Sequence, residues 1–263
     1  MYCTEQVHTR MPKVTTILAS RHTDDSLVEA GLDEAGRGCF WGPIMAGCLV
    51  WPDPAEWTDA HRAIAPDIRD SKKIAAKKRE RIFEQIQELA TGWGVGSVSA
   101  QEIDEHGITW ANQEAFRRAL SAMGETSSIE PERIIIDGAI SLPGFAGEQH
   151  TVVEGDGTYL HVAGASILAK VSHDRMVLDY CSAHPECEER YHLSSGHGYG
   201  TKQHRDGLRA HGAHELHRNT FIYNWVEGGV APVKPANKKV AFASEGKKTA
   251  TNDVCLIRLP GST

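Results

Sequence analysis

Three aspartates of this chain share one local setting. Asp33, Asp137 and Asp156 each follow a short apolar run and lie close to a glycine, and Glu34 directly follows the first. If the runs are neighbouring strands of one sheet, their ends converge and the carboxylates meet. Carboxylates that close raise one another's pKa, and divalent cations relieve the repulsion. All-oxygen donors select Mg²⁺ or Mn²⁺ over zinc. Two such ions roughly 3.5–4 Å apart can activate a water and stabilise a departing oxygen in phosphoryl transfer. Taken singly, each Asp beside a Gly is more commonly a plain turn. Adjacent residues of a regular strand also point to opposite faces, so Asp33 and Glu34 serve one site only where the strand ends or twists.

Two other chemistries are weaker. Gly36-Arg37-Gly38 would need a glycine at position 41 to complete a dinucleotide-binding turn, and Trp41 stands there, with two acids just upstream that would repel a pyrophosphate. His192, His197, His204, His211, His214 and His217 are clustered, but no cysteines accompany them at zinc-finger spacing, and the imidazoles other than His217 are expected at the surface.

The elements that must position the acids can be read from the pattern. Apolar runs near 27–32 and over 44–51 flank the glycine-rich turn and predict two strands, with order beginning near Leu27. Ile82, Phe83, Ile86 and Leu89 fall on one helical face, with Asp70 or Ser71 as the N-cap. Residues 95–98 read as a strand, and Ser99 with Glu102 forms a capping box. A helix over 109–123 buries Phe116, Leu120 and Met123, and 134–136 and 151–153 read as buried strands. A helix over 162–181 places Ile167, Leu168 and Val171 on one face, and another over 201–211 closes at Gly212. Strands alternating with helices predict an α/β fold with a mixed sheet covered by helices.

The 263 residues carry 28 Lys and Arg against 35 Asp and Glu, a net charge of −7 that by itself speaks against nucleic acid as a partner. The distribution speaks the other way. Residues 69–81 hold seven basic residues against two acids, and 234–248 hold five lysines against one acid. No apolar run is long enough to span a membrane. Six scattered cysteines without a paired framework read as reduced thiols of a cytoplasmic protein. Residues 1–23, poor in acids, faintly suggest an organellar leader and are otherwise a flexible extension.

The run Asp33-Glu34-Ala35-Gly36-Arg37-Gly38 with Gly42-Pro43 resembles the first signature of ribonuclease HII, the type 2 ribonuclease H. Asp70-Ser71-Lys72-Lys73, Glu102-Ile103-Asp104, Ile136-Asp137-Gly138, Gly155-Asp156, the stretch 165–171 with Asp174-Arg175, Gly198-Tyr199 and His217-Arg218 follow in the family's order, so the resemblance spans roughly 27–221. It implies a ribonuclease H-like mixed five-stranded sheet flanked by helices, with a C-terminal helical extension. The expected organisation is an extension over 1–26, a catalytic core over 27–185, a helical part over 186–226 and a flexible basic tail over 227–263.

The implied activity is cleavage of the RNA strand of RNA–DNA hybrids, and of duplex DNA on the 5′ side of single ribonucleotides, leaving 3′-hydroxyl and 5′-phosphate ends. The resemblance assigns two Mg²⁺ or Mn²⁺ ions to Asp33, Glu34, Asp137 and Asp156, with Asp174 structural or outer to them. It assigns Gly36, Arg37 and Gly38 to the RNA–DNA junction and Tyr199 to stacking on the following deoxyribose. Ser71, Lys72 and Lys73 are assigned to phosphates near a helix N-terminus, and Lys170 to the site. Cys39 replaces the family's usual proline, and Glu154 stands where bacterial members often have lysine. The chain is expected to act as a monomer. The tail, ending in the apolar stretch 254–259, is weighed as a docking segment for a replication clamp but carries no clamp-binding signature.

Overall fold

The computed structural model describes residues 17–231, and the basic stretch 234–248 and the apolar stretch 254–259 of the tail lie outside it. Five strands form one sheet: β1 (Glu29–Ala35), β2 (Ile44–Val50), β3 (Gly92–Val98), β4 (Arg133–Asp137) and β5 (Glu148–Val152). Their order is β3-β2-β1-β4-β5; β2 is antiparallel to β1 and β3, while β4 is parallel to β1 and to β5. The helices are α1 (Asp59–Ile64), α2 (Ala76–Leu89), α3 (Ala100–His106), α4 (Ile108–Ser127), α5 (Leu160–Ala183), α6 (Pro185–Tyr191), α7 (Leu193–Gly196), α8 (Lys202–His211) and α9 (Asn219–Ile222). The expected α/β architecture with a mixed five-stranded sheet is present. Among the described residues no helix is long and apolar enough to cross a membrane.

Strand alternation divides the core into two layers. Ala30 and Leu32 of β1, Ala46 and Cys48 of β2, and Ile134 and Ile136 of β4 pack with Ala111, Ala115, Phe116 and Ala119 of α4. On the opposite face Leu49 packs with Ala165, Leu168 and Val171 of α5 and with Ile82, Phe83 and Ile86 of α2. Because α5 runs between the sheet and α2, residues 160–169 are buried all round, His161 among them, and His173 and Asp174 further along are buried too; the single apolar face expected for it is too narrow. A third cluster, around Trp41, Tyr191, Leu208 and Ile222, joins the C-terminal helices to the turn after β1.

Several expectations need correction. Order begins before Leu27: Ala19 bridges Tyr159, Leu160 N–H donates to Ala19 O at 2.8 Å, and Asp25 pairs with the buried Arg133 at 2.7 Å. Neither Asp70 nor Ser71 caps α2, which starts at Ala76 after Ala75. Asp70 instead caps a separate 3-10 turn, Ser71–Lys73. The third strand starts at Gly92, three residues early. The strand expected over 151–153 is the sheet edge, β5, and ends at Val152, with Val153 74% exposed; an edge strand has only one neighbour to cover it.

The capping box holds. Glu102 accepts Ser99 N–H at 2.9 Å and the Ser99 hydroxyl at 2.8 Å, and Arg118 Nη2 donates to it at 2.7 Å. Burial pushes this carboxyl up, but Arg118 and Ser99 outweigh it and hold it at about 2. A depressed carboxyl stabilises the fold above its unfolded value and loses that contribution as pH falls through the folded one. Glu102→Gln is therefore expected to cost about 1 kcal/mol at pH 7, as for a lost cap. The gap to wild type should close between the ordinary glutamate value of 4.5 and about 2, as read by urea unfolding across that range.

Candidate active site

Asp33 is the fifth residue of β1, and Asp137 ends β4. These strands are parallel neighbours, with Gly31 beside Ile135, so their C-terminal ends lie at one edge of the sheet. Residues 31 and 33 of β1 and 135 and 137 of β4 share a face by alternation, the one covered by α5. Glu34 falls on the other face, toward Asn112 of α4, whose buried amide has no hydrogen-bond partner among the described residues. The two adjacent acids thus do diverge, and both still reach the strand-end region because β1 stops at Ala35.

Asp33 is 5% exposed, accepts the Glu34 N–H at 2.7 Å and is drawn down by the nearby Ser166 hydroxyl of α5, which meets the Ser71 hydroxyl at 2.8 Å. Burial, then Glu34 and Asp137, push its carboxyl well above the ordinary range. Burial also raises Glu34, against the pull of Arg37, whose Nη1 lies 3.7 Å away. Asp137 Oδ1 accepts Gly155 N–H at 2.8 Å, which ties β4 to the 3-10 turn Gly155–Gly157. In that turn Asp156 is raised by burial, then by Asp70 and Asp137.

Asp137 thus acts electrostatically on each of the other three expected acids, Asp33, Glu34 and Asp156. Among the described residues no three His, Cys, Asp or Glu side chains are already grouped as a ready metal cage. The donor chemistry nevertheless fits a hard divalent cation: every donor is a carboxylate oxygen, and each raised carboxyl gains by meeting positive charge.

A cleft of about 350 Å³ opens above these acids, lined by Glu34, Gly36, Arg37, Ser71, Lys72, Lys170 and Tyr199 with Ala35 and Ser166. Asp33, Gly38, Lys73, Asp137 and Asp156 are not part of its wall. Several assigned side chains are already committed. The Ser71 hydroxyl is buried on Ser166, and Lys72 and Lys73 sit on their own 3-10 turn rather than at a helix N-terminus. Lys73 Nζ pairs with Asp70 at 3.1 Å. Lys170 Nζ pairs with Asp174 at 2.7 Å; that aspartate also faces Arg79 at 3.4 Å and His197 at 3.6 Å. Asp174 thus gathers Lys170, Arg79 and His197 about one carboxylate.

The glycine turn is held from behind. Gly36 has φ +78°, and a Cβ there would stand 2.4 Å from the fully buried His173 ring. Gly36→Ala therefore combines a left-handed backbone with a clash that the packed ring cannot escape. Displacing the turn by about 1 Å should reduce cleavage roughly 10²-fold, measured on a hybrid substrate.

Tyr199 is 41% exposed with its ring beside Gly38. Arg218, fully buried, donates from Nε to Gly42 O and from Nη1 to Arg37 O, both at 2.9 Å, so one guanidinium spans the turn. Arg218, Ser166 and Asn112 have no role in the sequence reading. Arg218 and Ser166 lie within motifs, but only the fold aims them, and nothing local marks Asn112.

The histidines are not all at the surface: His204 and His217 are each 1% exposed and face each other, Nε2 to Nε2, at 2.9 Å.

A mixed sheet in this order, with acids at the ends of two parallel central strands beneath a glycine turn, defines a ribonuclease H-like nuclease. The Ribonuclease HII family model matches residues 30–225. Ribonuclease HII of Caldanaerobacter subterraneus subsp. tengcongensis is 36% identical over 199 residues, covering 76% of each chain. That of Prochlorococcus marinus is 37% identical, covering 73% of this chain and 95% of its own. The crystal structure of the ribonuclease H2 from Pyrococcus horikoshii OT3 superposes with a TM-score of 0.58 at 26% identity, covering 73% of this chain and 92% of that one. The chain belongs to the ribonuclease HII family. It is accordingly a ribonuclease H, a divalent-metal-dependent endonuclease that cuts RNA strands and leaves 5′-phosphates.

Proposed function

We propose that this enzyme recognises the RNA–DNA junction, including a single ribonucleotide in duplex DNA, and hydrolyses the phosphodiester on the 5′ side of the ribonucleotide. The observation that carries the reading is geometric: parallel β1 and β4 bring Asp33 and Asp137 to one sheet edge, Gly155 N–H ties Asp137 to the turn bearing Asp156, and Glu34 lines the cleft with Gly36, Arg37 and Tyr199. Asp33, Glu34, Asp137 and Asp156 would hold two Mg²⁺ or Mn²⁺ ions, which when bound supply an activated water and charge stabilisation for the departing 3′-oxygen.

The chain's own residues supply orientation. Gly155 N–H fixes one oxygen of Asp137, Ser166 stands beside Asp33, and Arg37 pairs with Glu34 at 3.7 Å. The bare backbone at Gly36 and Gly38 lets the turn approach a minor groove closely enough to meet a 2′-hydroxyl. Tyr199 offers its exposed ring to the adjoining sugar. Lys72, exposed and acting on both Glu34 and Asp156, is the cation best placed for a phosphate; Lys73 and Lys170 first have to leave carboxylate partners.

The test is cleavage-site mapping on a duplex with one embedded ribonucleotide, in Mg²⁺ and in Mn²⁺. A single nick 5′ to the ribonucleotide is expected. Cutting only within long ribonucleotide runs would overturn the junction reading.

A further inference from the structure

We propose that His204 and His217 are positioning residues: a one-way chain of hydrogen bonds through two neutral rings holds Tyr199 against the glycine turn. The inference rests on the reading above that Tyr199 meets the nucleic acid.

The direction of the chain follows from partners with fixed roles. His204 Nδ1 lies 3.0 Å from Tyr199 O, and a carbonyl can only accept, so this nitrogen carries the proton and His204 Nε2 is bare. The His214 backbone N–H points at His217 Nδ1 at 2.8 Å, so that nitrogen is bare and the proton sits on Nε2. The two Nε2 atoms, 2.9 Å apart, are therefore a donor on His217 and an acceptor on His204. His217 Nδ1 also lies 3.3 Å from His214 O. A proton there would collide with the closer His214 N–H, and with Nε2 then bare it would set two lone pairs against each other. One arrangement survives: His214 N–H to His217, His217 to His204, His204 to the Tyr199 carbonyl.

The surroundings keep both rings neutral. The titratable groups facing the pair are the His214 imidazole, 6.3 Å from the His217 ring, and Tyr191, packed edge-on at 4.8 Å. Phe40 covers His204 at 5.9 Å. The neighbouring cations point elsewhere, Arg205 to Gly200 O and Arg218 to Gly42 O and Arg37 O. Among the described residues no carboxylate acts on either ring. Burial lowers His204, and burial with His204 and His214 takes His217 down to about 3.

The chain ends where the site needs rigidity. Cys39 forms a backbone bridge with Tyr199 and Trp41 one with His217, so the segment after the glycine turn lies between Tyr199 and His217. Phe40 and Trp41 N–H both donate to Gly198 O, at 2.9 and 3.2 Å. His204 itself is fixed in the first turn of α8 by the Thr201 cap. Losing the pair leaves the Tyr199 carbonyl with only the Thr201 N–H, 2.8 Å away, while the acids remain untouched.

The experiment combines NMR of the full chain with steady-state cleavage of a one-ribonucleotide duplex. Long-range ¹⁵N–¹H spectra are expected to show His204 protonated at Nδ1 and His217 at Nε2, both titrating below the ordinary histidine value of 6.5. Either ring titrating near 6.5, or both carrying the proton on Nε2, overturns the proposal. In kinetics, His204→Phe keeps the volume but removes both bonds, and should raise KM roughly five- to tenfold with kcat nearly unchanged, the scale of one or two hydrogen bonds. His204→Asn, which retains a donor near the Nδ1 position, should recover most of the loss and serves if the Phe variant fails to fold. Tyr199→Ala should raise KM similarly, and the double variant should add little to either. If Tyr199→Ala impairs cleavage while His204→Phe does not, the positioning role is wrong. If Tyr199→Ala changes nothing, the substrate contact assigned to Tyr199 is wrong, and the positioning role falls with it even where the spectra show the chain.

Discussion

Asp137→Asn is expected to slow cleavage of a ribonucleotide-containing duplex by roughly 10³-fold in saturating Mg²⁺, with the fold intact. Asparagine retains the shape of the side chain and an oxygen to accept Gly155 N–H, the 2.8 Å contact that joins β4 to the turn bearing Asp156. What it removes is one negative charge and one strong oxygen donor from the set around Asp33. A bound ion contributes several kcal/mol to transition-state charge stabilisation, and each 1.36 kcal/mol is tenfold in rate. Losing about 4 kcal/mol gives the stated factor. Stability moves the other way, because Asp137 is among the charges that raise Asp33 and Asp156. The thermal midpoint in chelator should therefore equal or exceed that of wild type. Single-turnover rates and unfolding curves on the same preparations check both statements, and a near-normal rate in Mg²⁺ would sink the assignment of Asp137.

Gly47→Ala is expected to destabilise the enzyme by about 3 kcal/mol, the upper part of the range for overpacking a core. Gly47 is the register partner of Asp33 across β1 and β2, so its missing side chain faces α5. A Cβ at that position would stand 2.2 Å from Ala165 O and 3.1 Å from Ala169 N. Both are helix backbone, and neither can swing aside as a side-chain end could. The helix must lift, which withdraws Ser166 from Asp33 and from Ser71. The thermal midpoint should fall by roughly 6–12 °C for a chain of this size. Activity per folded molecule should fall as well, since the lifted helix carries the group that steadies Asp33. A denaturant midpoint shift equivalent to under 1 kcal/mol would show that α5 tolerates the extra atom.

Much of the site was legible in the residue pattern because it depends on short-range rules. Asp33 lies near the end of an apolar strand and Asp137 ends one, Ser99 and Glu102 close a capping box, and Gly212 stops α8; each needs only a few neighbours to be read. Ordered motifs extended the reading to the family, and through it to the acids and to Tyr199. The errors fall where burial or pairing is decided at a distance. The stretch 151–153 has the β-branched composition of a core strand, yet its register against β4 places it at the sheet edge. His204 has the look of a surface residue on a polar helix, yet 13 positions later His217 folds back to meet it.

By itself, then, the sequence determined the element order, the catalytic carboxylates as candidates and the family, all of which are written in local backbone preference and contiguous motifs. Only the tertiary structure decided that β4 lies parallel to β1, which brings Asp137 to the face of Asp33. It alone decided that Glu34 turns to Asn112, that Arg218 spans the glycine turn, and that two histidines are buried neutral behind Tyr199. The physical reason is the same in each case. Burial and hydrogen-bond partners at large sequence separation set the protonation, orientation and availability of a side chain, and these follow from packing rather than from residue type.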